Sequence, residues 1–226
     1  MISRALSRSV EDYLKAIYGL SGSGESVSTS AIADALDIQP ASVTGMVKRM
    51  AEWGLLEHLP YKGVVLTEPG TREALRVLRR HRILETYLCE RLGFSWDDVH
   101  DEAERLEHAA SDHLIEQMAT ALGSPSHDPH GSPIPTPGGD IEDTVLSTLA
   151  DAGPGARLVI RSVRDEDGEA LRSMAEEGLV PGAYVTVATG TLLTGSVEFS
   201  VESGSPGKGS VSSEVARHVY VLPDPR

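Results

Sequence analysis

The sequence predicts a mainly α-helical protein with a small β component in three parts: an N-terminal winged helix-turn-helix, a helical middle domain and a C-terminal SH3-like β-barrel. Three observations predict it. The first 67 residues read helix, short helix, turn, helix, hairpin. Two long helical patterns follow, over 67–92 and 95–122. From residue 156 the texture changes to short alternating strands separated by turns.

Each element has its own signal. Residues 10–20 place Val10, Tyr13, Leu14, Ile17 and Tyr18 on one apolar side of a helix, and S-G-S-G-E-S ends it. Ser28 or Thr29 can cap a short helix, S-A-I-A-D-A-L-D, before the turn I-Q-P. Residues 41–54 form the next helix, with Val43, Met46, Val47 and Met50 inward and Gly54 as its terminator. L-L-E-H-L-P-Y-K-G-V-V-L-T reads as two strands joined at Tyr61-Lys62-Gly63. Leu75, Leu78, Ile83, Leu84 and Leu88 give the helix from Thr67 to Leu92 its apolar stripe. Val99, Ala103, Leu106, Ala110 and Leu114 give one to a continuous helix over 95–122. The Pro/Gly/Ser-rich stretch 123–140 reads as a linker, and a short helix is expected over 141–149. Beyond it R-L-V-I-R-S-V, Y-V-T-V-A, V-E-F-S-V and H-V-Y-V-L alternate like half-buried strands, with a short helix ended by Gly178 among them. The expected domains are therefore 1–73, 74–140 (ending in the linker) and 141–226.

Composition narrows the function classes. Hydrophobic residues make up 40% of the chain, with only two Phe and two Trp, so the cores are expected to be aliphatic. No apolar run is long enough to span a membrane, and the first residues lack the apolar core of a secretory signal. The single cysteine, Cys89, excludes an internal disulfide and fits a reducing, cytoplasmic setting. A net charge of −14 argues against nucleic-acid binding at first sight. Its distribution weakens the objection: residues 1–73 carry seven Lys/Arg against nine Asp/Glu, so most of the acidity lies further along. Within 1–73, the helix opened by Q-P-A-S-V-T-G-M-V-K-R-M has small polar residues at its start and apolar ones on its far side. That suits entry into a major groove, with Gln39, Ala41, Ser42 and Thr44 facing base edges and Lys48, Arg49 and Lys62 facing phosphates.

The segment V-H-D-E-A-E-R-L-E-H, residues 99–108, carries the chemistry. At about 100° per residue, His100, Glu104, Glu107 and His108 fall on one stripe of a helix. His81 and Glu85 form a second pair at i, i+4 one helix earlier. Imidazoles and carboxylates without a thiolate favour Mn(II) or Fe(II) over Cu(I) or structural Zn(II). Metal ligands beside DNA-binding helices point to a metal-sensing regulator.

These motifs together resemble the diphtheria-toxin-repressor family of metal-dependent regulators. The resemblance is carried by V-E-D-Y-L-K-A-I-Y, P-A-S-V-T-G-M-V, Y-K-G-V-V-L-T, R-H-R-I-L-E, V-H-D-E-A-E-R-L-E-H and G-S-P-I-P. It implies a helical dimerisation domain in the middle and an SH3-like (FeoA-like) domain at the end. It implies a primary metal site of Asp12, Glu104, Glu107 and His108, which requires the first helix to pack against the metal helices. It implies an ancillary site of His81, Glu85 and His100, with Asp167 the favoured donor from the SH3-like domain and Glu166 or Glu169 as substitutes. Iron-responsive members typically carry Met and Cys where this chain has Asp12 and Glu104, so its primary site is of the manganese type. Lys15 stands where short manganese regulators carry a further Glu, which argues against their binuclear centre.

The expected protein is a cytoplasmic homodimer that binds double-stranded operator DNA when loaded with Mn(II) and represses metal-uptake genes. Fe(II) is the alternative effector. No membrane partner, small-molecule substrate or enzymatic activity is expected. A metallohydrolase would need an open metal position, a general base and a substrate cleft, and no H-E-x-x-H is present.

Overall fold

Residues 10, 14 and 17 recur at helical spacing, and in the computed structural model they are buried along α1 (Arg8–Leu20). The structure describes residues 6–21, 25–59, 61–142, 144–164, 167–188, 195–202 and 207–226. Its contacts separate two units. The first comprises Met1–His81, Glu107–Ala110 and Pro135–Ile141; the second comprises Arg82–Leu106, Ser111–Ile134 and Glu142–Arg226.

In the first unit, α1 is followed by α2 (Thr29–Ala35), whose start is capped by Ser28 accepting from the Ala31 amide at 3.1 Å. Asp37 takes a positive φ of 48° in the turn, a conformation Asp tolerates better than most residues. Pro40 opens α3 (Pro40–Glu52), where its missing N–H costs nothing. β1 (Leu56–Leu59) and β2 (Gly63–Leu66) pair antiparallel, from Leu56 opposite Leu66 to Leu59 opposite Gly63. Val27 adds a third edge: its amide and carbonyl exchange 2.9 Å hydrogen bonds with Val64. Gly63, at φ 106°, is where the backbones meet, since a Cβ there would lie 2.0 Å from the Val27 oxygen. Thr67 then caps α4 (Glu68–Leu92) by accepting from Gly70. Leu14, Ile17, Ile32, Val43, Met50, Leu55 and Leu56 form the core. This is the helix, short helix, turn, helix, hairpin order expected of a winged helix-turn-helix.

In the second unit the expected continuous helix over 95–122 is two helices, α5 (Val99–Leu106) and α6 (Asp112–Ala121). Ser111 caps α6 by accepting from Leu114, and residues 107–110 leave helical geometry. The break shifts the buried face. Leu106 and Leu114, expected inside, are exposed, while Ile115 and Ala119 are buried.

The helix expected over 141–149 is replaced by β3 (Ser147–Thr148), paired with residues 220 and 221, and a 3-10 turn, Leu149–Asp151. Residues 126–134, expected within a linker, have no helix or strand assigned but are packed: Asp128, His130 and Ile134 are buried. Gly131, at φ 83°, lies so close to the Arg161 carbonyl that a Cβ would sit 2.2 Å from it.

The rest of this unit comprises β4 (Arg157–Val163), α7 (Gly168–Glu176), β5 (Tyr184–Val187), β6 (Ser196–Val201), β7 (Gly207–Ser212), α8 (Ser213–Ala216) and β8 (Val219–Pro223). They form a six-stranded antiparallel sheet in the order β3-β8-β4-β5-β6-β7. Ile160, Val185, Val187, Phe199, Val219 and Val221 face its core with Leu171 and Met174 of α7. Among the described residues the outer strands β3 and β7 do not pair, so the SH3-like sheet is not a closed barrel. Among the described residues no helix is long and apolar enough to cross a membrane.

Candidate metal centres and DNA-reading helix

α1 presents Glu11, Asp12 and Lys15 on neighbouring positions of one face, and α4 supplies Arg80 and His81. The turn after α5 supplies Glu107 and His108. In the first unit these groups interlock. Glu107 is fully buried; its Oε1 accepts from Lys15 Nζ at 2.7 Å and its Oε2 lies 2.6 Å from His81 Nδ1. Burial opposes the Glu107 anion, but hydrogen bonding to His81 and the charges of Lys15 and His81 outweigh it, so its carboxyl titrates below the ordinary range. His108 Nδ1 lies 2.7 Å from Glu11 Oε2, and its Nε2 lies 2.8 Å from Asp12 Oδ1 and 3.3 Å from Glu107 Oε1. Arg80 Nη1 donates to Glu11 Oε1 at 3.2 Å.

The ligand atoms of Asp12, Glu107 and His108 lie within 4.8 Å of one another. A hard cation with octahedral bonds of about 2.1 Å places neighbouring donors about 3 Å apart. The 2.8 Å and 3.3 Å separations about His108 Nε2 are of that size. Two carboxylate oxygens and one imidazole nitrogen therefore fit a divalent first-row ion by both spacing and donor type.

The second unit holds a separate convergence. Glu85 on α4 is fully buried; its Oε1 lies 3.2 Å from His100 Nδ1 on α5. Glu104, half-buried on the same helix, lies 3.9 Å from His100 Nε2. Ligand atoms of Glu85, Asp128 and His130 lie within 4.8 Å of one another, and all three residues are buried. His130 Nε2 lies 2.6 Å from the Trp96 carbonyl, an acceptor, so Nε2 carries the proton and Nδ1 is left facing Glu85 Oε2 at 3.9 Å. Asp128 Oδ1 accepts from the amides of His130 and Ser132, which folds the segment tightly enough to aim both side chains inward.

Cys89 lies on α4 in this acidic neighbourhood. Burial first, then the charges of Glu85, Glu90, Asp128 and Asp97, push its thiol up to about 11. At pH 8 about one thiol in a thousand would then be thiolate. Labelling by a thiol-disulfide reagent at pH 8 is expected to run at least about 100-fold slower in the native protein than in denaturant. Equal rates would show that the thiol is not shielded in this way.

The residues expected to read DNA all stand clear of the first unit's core. Gln39, Ala41, Ser42, Thr44, Lys48, Arg49 and Lys62 are exposed, while Val43, Val47 and Met50 hold the opposite face of α3 inward. Gln39 occupies the N-cap position without a capping bond from its side chain. Arg49 stacks over Trp53, with 5.6 Å from its guanidinium carbon to the ring centroid.

Comparison with known proteins settles the class. Residues 5–64 match the iron dependent repressor N-terminal DNA binding domain, 67–136 match the iron dependent repressor metal binding and dimerisation domain, and 147–223 match the FeoA domain. The chain belongs to the diphtheria-toxin-repressor family. It is 34% identical over 191 residues to the iron-dependent repressor IdeR of Mycobacterium tuberculosis, covering 79% of this chain and 83% of that one. It is 32% identical over 149 residues to the diphtheria toxin repressor of Corynebacterium diphtheriae, covering 66% and 64%. A solved manganese-dependent transcriptional repressor in complex with manganese superposes with a TM-score of 0.88 at 33% identity, covering 95% of this chain and 99% of that one. Relatives in this family are transcriptional repressors and not enzymes, and the chain is a metal-dependent repressor of the same family.

Within this diphtheria-toxin-repressor family member, the structure brings Asp12, Glu107 and His108 together in one unit and Glu85, His100 and Glu104 in the other. His81 lies in the first unit, bonded to Glu107. Asp167 is elsewhere in role: it is exposed and caps α7, its Oδ1 accepting from Glu169 at 2.9 Å and Ala170 at 3.2 Å. Glu169 is exposed as well, and Glu166 lies outside the described residues. Sequence reading missed Asp128 and His130. The available signal was D-P-H inside a Pro/Gly-rich stretch that had no helical reason to carry an acid and an imidazole so close together.

Proposed function

We propose that this repressor responds to Mn(II), binding operator DNA as a cytoplasmic homodimer and controlling metal-ion uptake genes. The observation that carries the metal choice is the donor set in the first unit. Asp12, Glu107 and His108 offer oxygen and imidazole nitrogen, with no sulfur ligand among them, which suits a hard divalent ion. The family resemblance adds Glu104, from the last turn of α5, as the fourth ligand. Bound metal would neutralise the carboxylates and tie them to one centre. Asp12 is the contribution of α1, next to the DNA-reading helices; Glu107 and His108 come from the metal-binding and dimerisation segment. Lys15 and His81 hold Glu107 in place, so the metal would meet a largely formed site and shift a population towards the DNA-competent state.

A second ion would be held by Glu85, Asp128 and His130, with His100 Nδ1 beside Glu85 Oε1. In this reading Asp128 takes the ligand role that the resemblance gave to Asp167, which stays a helix cap. The homodimer reading is supported by Leu92, Phe94 and Leu114 of the second unit, large apolar side chains left exposed. Gln39, Ala41, Ser42 and Thr44 would meet base edges, with Lys48, Arg49 and Lys62 on phosphates.

Fe(II) is the second reading, favoured by the likeness to the iron-dependent repressor IdeR. Fluorescence anisotropy of a duplex from the chain's own upstream region, titrated with Mn(II) and with anaerobic Fe(II), separates the two. Half-maximal binding at lower free Mn(II) is the expected result. An equal or better response to Fe(II) assigns the iron role, and binding unchanged by chelator overturns metal control.

A further inference from the structure

We propose that Glu11, held by Arg80, is the positioning residue that fixes His108 as a metal ligand. This rests on the reading of Asp12, Glu107 and His108 as the primary site. The geometry is direct. Glu11 can only accept, so the 2.7 Å contact to His108 Nδ1 places the proton on Nδ1. Nε2 is close to Asp12 Oδ1 and Glu107 Oε1 but is buried without a hydrogen bond among the described residues, which leaves it as the metal donor. Arg80 occupies the other Glu11 oxygen at 3.2 Å, so the carboxylate cannot swing away. Glu11, Arg80 and His108 side chains are only 11%, 9% and 9% exposed, so water does not readily take the place of any partner.

The cost of burying Glu11 on an α-helix needs a reason, because the neighbouring position is a core residue, Val10, and an apolar side chain would pack there at lower cost. Orientation of an imidazole supplies that reason. A carboxylate behind a ligating histidine fixes the ring, sets the tautomer and raises the basicity of the opposite nitrogen. Glu11 and Asp12 are adjacent on α1, so this helix grips His108 from both ring nitrogens: directly through Glu11, and through the ion via Asp12.

The test measures Mn(II) affinity from the free-ion electron paramagnetic resonance signal in wild type, Glu11→Ala, Glu11→Gln and Asp12→Ala. Glu11→Ala is expected to weaken binding on the order of 10–100-fold. Glu11→Gln, whose carbonyl still accepts the Nδ1 proton, is expected to recover most of the loss. Wild-type affinity in Glu11→Ala with binding lost in Asp12→Ala overturns this proposal alone. Unchanged affinity in both overturns the primary-site reading on which it rests. Proton–nitrogen NMR of the Zn(II)-loaded wild type, a diamagnetic stand-in, gives an arm that needs no variant. The His108 Nδ1 proton is expected downfield and slow to exchange; a His108 ring protonated at Nε2 overturns the proposal even if Glu11→Ala does not fold.

Discussion

Asp12→Ala is expected to abolish Mn(II)-stimulated operator binding across the range that saturates wild type, with metal affinity lower by at least about 100-fold. A factor of 100 corresponds to about 2.7 kcal/mol. A near-complete two-state switch needs a differential affinity of about 5.5 kcal/mol, so a loss of that size removes about half of the drive; the weakened site is also mostly empty at concentrations that just saturate wild type, and together these leave most molecules incompetent. The effect falls on the metal and not on the fold. Asp12 Oδ1 lies 2.8 Å from His108 Nε2 at a side chain 30% exposed, and the approach of Arg8, at 3.9 Å, is a loose one. The metal-free variant is therefore expected to unfold within about 1 kcal/mol of wild type. Anisotropy against free Mn(II), with urea unfolding of the metal-free proteins, checks both halves. An unshifted Mn(II) response removes Asp12 from the site.

The second large effect is structural. Gly63→Ala is expected to destabilise the first unit by about 3 kcal/mol or more. Two costs add there. The residue sits at φ 106°, where a side chain is strained, and the new Cβ would lie 2.0 Å from the Val27 oxygen and 2.6 Å from its carbonyl carbon. The obstacle is backbone held by the paired Val27–Val64 hydrogen bonds, so it cannot rotate aside. Gly45→Ala is the matched control. That glycine lies within α3 with nothing within 4 Å of a Cβ, and the change is expected to stabilise by up to about 1 kcal/mol. Urea midpoints that fail to separate the two variants would show that the wing and Val27 are not packed as described.

What could be read from the chain follows the range of the forces involved. The helix-turn-helix and wing are local: a cap at Ser28, a proline at Pro40, a hairpin at Gly63 and helical spacing on α1 each act within a few residues. The stripe of His100, Glu104, Glu107 and His108 is read from the same kind of spacing, yet its helix is broken. Glu107 and His108 leave α5 to meet Lys15 and Glu11, 92 and 97 residues away in the chain, and no local period records that. Ser111, the cap of α6, interrupts the apolar stripe that suggests one continuous helix. Asp167 caps α7, and a capping carboxylate and a ligating one look alike in sequence. β7, G-K-G-S-V-S, was missed because an edge strand held by its backbone ladder to β6 needs no alternating apolar pattern. Asp128 and His130 lie in a stretch with no period, where only tertiary packing reveals direction.

The chain's two tryptophans fall in different places: Trp53 follows the last turn of α3 beneath Arg49, and Trp96 stacks on His130 with ring centroids 5.5 Å apart. Each unit thus carries its own built-in fluorophore, one beside the proposed nucleic-acid surface and one against a ring of the buried acid–histidine cluster. Single-tryptophan forms of the protein would turn one emission spectrum into two separate clocks, able to time events at the helix and at the cluster independently without any added label.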